Sequence, residues 1–61
     1  MIVSLYTGTP DDAALELQAP DYQGPFDDLE FPSPESRDDA RAELVRAGRC
    51  WLDSTTLAVV E

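Results

Sequence analysis

Residues 1–34 carry seven carboxylates and no basic side chain. The acids are Asp11, Asp12, Glu16, Asp21, Asp27, Asp28 and Glu30. All four bases, Arg37, Arg41, Arg46 and Arg49, come later, and there is no histidine. This half of the chain therefore has no cation of its own with which to neutralise its acids. Charge of one sign opposes compaction by self-repulsion and attracts partners of the opposite sign. Any fold must turn these carboxylates outward while the apolar residues between them turn inward. Of the net charge of −9, about −7 belongs to this half.

High net charge with low hydrophobicity is the signature of disorder. Here the large apolar residues are grouped into segments, with Tyr6, Tyr22, Phe26, Phe31 and Trp51 among them. That grouping predicts a folded domain spanning residues 1–61. Its core must be small, since a chain of this length buries only about 60 % of its unfolded surface. Cys50 stands alone, so no internal disulfide forms, and beside Trp51 it reads as a small core residue or a thiol used in dimerisation. Ile2–Tyr6 is too short for a signal peptide and lacks a basic flank. No apolar run approaches the ~18 residues of a membrane span. The expectation is a cytoplasmic chain that binds neither membrane nor nucleic acid, since both repel negative charge.

Ile2-Val3-Ser4-Leu5-Tyr6 is β-branched and aromatic, and reads as a strand. Thr9-Pro10-Asp11-Asp12 has the form of a helix start, with an N-cap hydroxyl, proline at the first position and acids at the positive end of the dipole. That predicts a helix over about 10–18, with Ala14, Leu17 and Leu15 facing inward. Residues 19–33 contain Pro20, Gly24, Pro25 and Pro32, and read as a loop folded onto the core. Within it, Phe26–Phe31 fits an edge strand or one helical turn.

Ser33-Pro34-Glu35-Ser36 opens a second helix, with Ser36 and Asp39 as an alternative start. Ala40, Leu44 and Ala47 line one face of it, extended by Val45. Asp38–Arg41 and Glu43–Arg46 stand at contact spacing, and Gly48 is a suitable C-cap. Residues 49–53 and 55–60 then read as strands joined at Asp53-Ser54. The predicted architecture is a small α+β domain, with an antiparallel sheet of about three strands and two helices, about 10–18 and 34–47, on one face.

Catalytic chemistry finds little support. Without histidine there is no imidazole base or triad, and one cysteine rules out structural zinc sites. The glycines are isolated, so no phosphate-cradling loop exists. Paired carboxylates occur at Asp11-Asp12, Asp27-Asp28 and Asp38-Asp39, but the spacing around Asp27 does not match a calcium loop. The reading is therefore a non-enzyme with no cofactor and no metal.

A surface that seats in an Arg/Lys channel must avoid cations of its own, whereas an ordinary solvated surface mixes signs. Duplex DNA presents one charge per roughly 1.7 Å of axis, and acids at 11, 12, 16, 21, 27, 28 and 30 can be laid out at comparable separations. In length, opening strand, acidity and lack of catalytic residues the chain resembles the small phage-encoded anti-CRISPR proteins, especially the acidic DNA mimics that act on type I surveillance complexes. The resemblance covers the whole chain in size and charge and rests on no shared motif. It implies binding at the positively charged DNA-entry surface, near the large subunit, inside the host cell. The residues it implies are Asp11, Asp12, Glu16, Asp21, Asp27, Asp28 and Glu30. The arginine-bearing second helix departs from a uniformly acidic mimic. Two other classes fit the same charge: an acidic antidote that caps a nuclease or toxin, and a phage protein whose acidity serves solubility.

Overall fold

A computed structural model describes residues 1–11 and 15–61, with only the backbone of Glu16. Strands β1 (Ile2–Thr7), β2 (Tyr22–Pro25), β3 (Arg49–Trp51) and β4 (Thr56–Val60) form one antiparallel sheet in the order β2-β1-β4-β3. Helix α1 (Pro34–Ala47) covers one face. The α+β class follows the sequence, but the sheet has four strands rather than three, and α1 is the one α-helix among the described residues.

The β-branched run of β1 and that of β4 pair at the centre of the sheet, with Val3 opposite Val60 and Leu5 opposite Ala58. Alternation then puts Val3, Leu5, Ala58 and Val60 on the helix side. There Val3, Phe26, Ala40, Leu44 and Ala58 form the buried cluster. On the other face Ser4 and Leu57 are also buried, and the Ser4 hydroxyl donates to the Glu61 carboxylate. A buried hydroxyl without a partner costs free energy, so this bond fastens the residue after β4 to β1.

One short strand of polar and turn-forming residues needed tertiary contacts to form. β2 reads as loop because Gly24 and Pro25 are poor strand residues. It is nevertheless an edge strand, where proline is tolerated. Phe26 N–H donates to the Met1 carbonyl at 2.8 Å, which sets the parity of the β1–β2 ladder. Gln23 and Pro25 therefore point their backbone groups away from β1. Pro25 has no N–H to leave exposed there. The Tyr22 ring covers Gly24, where an added Cβ would lie 2.7 Å from its hydroxyl, and that hydroxyl donates to the Pro25 carbonyl at 3.2 Å. Phe26–Asp28, ambiguous by pattern, is a 3₁₀ turn.

The expected helix over 10–18 is a second correction. Residues 12–14, including Asp12 and Ala14, lie outside the described residues, and Leu15–Leu17 form a single 3₁₀ turn. Leu15 is buried against Gly8, whereas Leu17 is 86 % exposed. So short a segment has little helical stability of its own. Its end is fastened instead by the Gln18 side-chain amide, which donates to the Thr7 carbonyl at 2.9 Å.

α1 spans the predicted residues because both caps are encoded locally. Ser33 Oγ accepts the Ser36 N–H at 3.1 Å, so the helix starts at Ser33 rather than at Ser36. Gly48 adopts φ 80°, a left-handed conformation that glycine reaches without a Cβ penalty, and its N–H bonds the Leu44 carbonyl at 2.9 Å. Ala40 and Leu44 are buried as expected, but Ala47 and Val45 are exposed, Val45 by 72 %. One residue turns a helix by about 100°, so Val45 faces away from the stripe through Leu44. In the β3–β4 loop, the Asp53 carboxylate accepts from the Thr55 N–H at 2.8 Å and from the Thr56 hydroxyl at 3.2 Å. Such side-chain-to-backbone bonds are how aspartate makes a turn.

Candidate acidic partner-binding surface

The described acids of the N-terminal half flank the edge strand β2. At one end, Asp21 N–H donates to the Leu5 carbonyl at 2.8 Å and its carboxylate accepts from the Thr7 hydroxyl. At the other end, Asp27 and Asp28 occupy the 3₁₀ turn and Glu30 comes just after it, all exposed. That turn is held by its apolar residues. Phe26 is 2 % exposed and its ring lies 5.4 Å from that of Phe31. Leu29 and Phe31 pack against the core, so the intervening acids are driven outward. The aromatic pair thus anchors the carboxylates on a short, braced loop.

Five extended residue steps from Asp21 to Phe26 correspond to roughly 17 Å. Over that length one DNA strand presents about five charges, at about 3.4 Å each. Over the same length this edge carries four carboxylates, Asp21 at one end and Asp27, Asp28 and Glu30 gathered at the other.

Glu61 is a further acid on this side. Its carboxylate accepts from Gln23 of β2 at 3.0 Å and from Ser4 of β1. The sequence groups it with the C-terminal charges, and only the pairing of β1 with both β2 and β4 brings it to this edge. Asp11 is exposed in the turn after β1, Asp12 lies outside the described residues, and so does the side chain of Glu16.

Two ion pairs lie within α1. Arg46 Nε donates to Glu43 at 3.2 Å, and Arg37 lies 3.6 Å from Asp38. The expected Asp38–Arg41 pair is replaced by this adjacent one. The Arg46 hydrogen bond lowers the Glu43 carboxyl pKa and raises that of the guanidinium. Asp27, Asp28 and Glu30 are exposed. Burial, then the charge of Glu43, pushes the Cys50 thiol pKa up, which disfavours the nucleophilic thiolate. Bonds from the Thr55 N–H and the Thr56 hydroxyl hold the Asp53 carboxyl below its usual range.

Among the described residues no three His, Cys, Asp or Glu side chains gather as a metal site, and no helix is long and apolar enough to cross a membrane. What the acidic edge can do chemically is accept hydrogen bonds and ion pairs from cationic groups. Comparison with known protein families, curated proteins and solved structures finds no match for this chain.

Proposed function

We propose that the chain is a binding protein and not an enzyme, and that its acidic edge occupies a basic nucleic-acid-binding surface in place of DNA. The target is the DNA-entry surface of a type I CRISPR surveillance complex, at the large subunit, in the cytoplasm of the host cell. Asp21, Asp27, Asp28 and Glu30 make the contact, with Asp11, Asp12 and Glu16 assigned to it by charge. The observation that carries this reading is the group of exposed carboxylates flanking β2, Asp21 at one end and Asp27, Asp28 and Glu30 on the turn braced by Phe26 and Phe31 at the other. Charges fixed on a rigid frame bind an arginine channel without first being ordered.

Competition tests the proposal. Binding to the purified surveillance complex is measured with and without saturating target duplex, at two salt concentrations. Mutual exclusion is expected, with weaker binding at higher salt, because exposed charges are screened over a Debye length of ~10 Å at about 0.1 M. A stable ternary complex with DNA refutes mimicry. Replacing Asp27 and Asp28 with lysine is expected to weaken binding by well over about tenfold, and replacing Asp38 and Asp39 to weaken it less. Equal losses would remove β2 as the contact edge.

A further inference from the structure

The sheet has two edges, and they differ. The β2 edge is closed to strand addition, since Pro25 lacks the outward N–H an incoming strand would need and carboxylates flank it. The β3 edge lies on the far side of the sheet. Leu52 N–H bonds the Thr56 carbonyl and Val60 N–H bonds the Gly48 carbonyl, both at 2.9 Å. These two bonds fix the ladder parity, so that Cys50 directs its backbone groups at β4 and Trp51 turns its N–H and carbonyl outward. The register of Cys50 with Ala58 and of Trp51 with Leu57 sets the faces. Cys50 and Leu52 lie on the helix side, Arg49 and Trp51 on the other, and Asp53 follows in the turn.

An edge of this sequence is complementary to itself. When two copies lie antiparallel about a twofold axis at Trp51, each Trp51 N–H donates to the Trp51 carbonyl of the other copy. Arg49 of each copy then comes level with Asp53 of the other, and Cys50 with Leu52. Opposite charges and apolar pairs facing across a ladder stabilise it, and like charges oppose it. An axis at Cys50 would instead set Arg49 against Trp51 and match no charges. Neither bulk nor charge stands in the way. Ala40 and Leu44 pack on Val3 and Ala58, so α1 lies over the two central strands. The helix axes of the two copies are then about four strand spacings apart, roughly 19 Å, against a helix diameter of about 10–12 Å. The acids flanking β2 end up about seven spacings apart, roughly 34 Å, which is several Debye lengths at ~0.1 M salt.

We propose that the protein self-associates through β3 into a twofold dimer whose two four-stranded sheets join edge to edge. The occupant of the edge is a second copy because β3 and its turn already hold both halves of each contact: Arg49 and Asp53, Cys50 and Leu52, and the outward donor and acceptor of Trp51. Arg49 is the charged side chain of β3 itself, while the acids of residues 1–34 gather at the far edge, so the seam brings unlike charges together and keeps like charges apart. β3 is three residues long, so few bonds hold the pair, and the association is weak and concentration-dependent. The dimer leaves both β2 edges open at its two ends, and it stands whether or not the acidic row binds a DNA-binding protein.

Sedimentation equilibrium and amide NMR of the whole chain, over about a hundredfold range of protein concentration, test it. Expected are a mass that rises towards the dimer, amide shifts at Arg49, Trp51 and Asp53, and slower exchange of the Trp51 amide as concentration rises. Arg49→Glu sets like charges against each other across the seam and is expected to weaken association by at least about tenfold. A second variant reads the register. Leu52→Cys places the new thiol opposite Cys50 of the other copy, and oxidation by copper phenanthroline, which takes up two electrons per thiol pair, is expected to give a disulfide-linked dimer. In the parent the two Cys50 thiols are offset diagonally and should crosslink far less. A monomeric mass throughout would overturn the proposal, as would concentration-dependent shifts confined to β2 or to α1. Association unchanged by Arg49→Glu would also overturn it, and so would a parent that crosslinks as readily as Leu52→Cys, which would move the axis to Cys50.

Discussion

Leu44 and Val45 are neighbours on α1, one 1 % and the other 72 % exposed, and their truncation separates packing from helix propensity. Leu44 reaches the cluster formed with Val3, Phe26, Ala40 and Ala58. Its replacement by alanine removes transfer free energy and leaves a cavity, at a cost of about 2–5 kcal/mol. At roughly 0.05–0.15 kcal/mol per residue, the whole domain is stable by about 3–9 kcal/mol. Leu44→Ala is therefore expected to remove from about a quarter of the stability to all of it. Val45→Ala loses little burial and gains up to about 0.5 kcal/mol in helix propensity, so its effect should stay within about 0.5 kcal/mol of zero. Urea unfolding followed by Trp51 fluorescence measures both. With a slope near ~1 kcal/mol/M for so small a chain, Leu44→Ala should move the midpoint by about 2 M or more, with Val45→Ala almost superimposing on the parent. Equal losses would refute the reasoning, since they would mean that α1 buries a different face or that Val45 is covered by a second molecule.

Gly48→Ala should destabilise by about 1–2 kcal/mol in the same urea experiment: the residue sits at φ 80°, nothing lies within 4 Å of the added methyl, and so the cost is that of the left-handed backbone alone. Asp53 should give the domain a measurable dependence on acid. Its folded pKa lies below the unfolded one, so the stability it adds is fully present above the ordinary carboxylate range and is lost as pH falls through the lowered value. Thermal melts from pH 6 to pH 2 should therefore show a steeper fall for the parent than for Asp53→Ala, and parallel curves would contradict the assignment.

The parts of this fold that are legible in the sequence carry their own local instructions. α1 is bounded by a proline-backed serine cap and a glycine, and β1 and β4 are short β-branched runs. β2 carries no such signal, because Gly24 and Pro25 belong to a strand only where Tyr22 covers the glycine and the edge has no use for the missing N–H. The 10–18 segment shows the converse. Its helix-start residues are present, yet Leu15 rather than helical periodicity decides which side chain is buried. The candidate surface was readable as a bare run of carboxylates. Its arrangement was not, since the position of Asp27 and Asp28 depends on the Phe26–Phe31 contact, and that of Glu61 on strand neighbours distant in sequence.

The central pair of the sheet joins the first strand to the last, Val3 opposite Val60. Local contacts in α1 and in the β3–β4 hairpin can form early, but β1 gains its principal neighbour only after a long loop closes. Contacts of such separation slow folding, because the entropy of closure is lost before the pairing compensates it. During synthesis β1 has no β4 to pair with until residues 56–60 have emerged. The β1–β4 pair commits the whole chain at once, so the backbone amides of β2 should acquire protection from hydrogen exchange together with those of β1 and not before them.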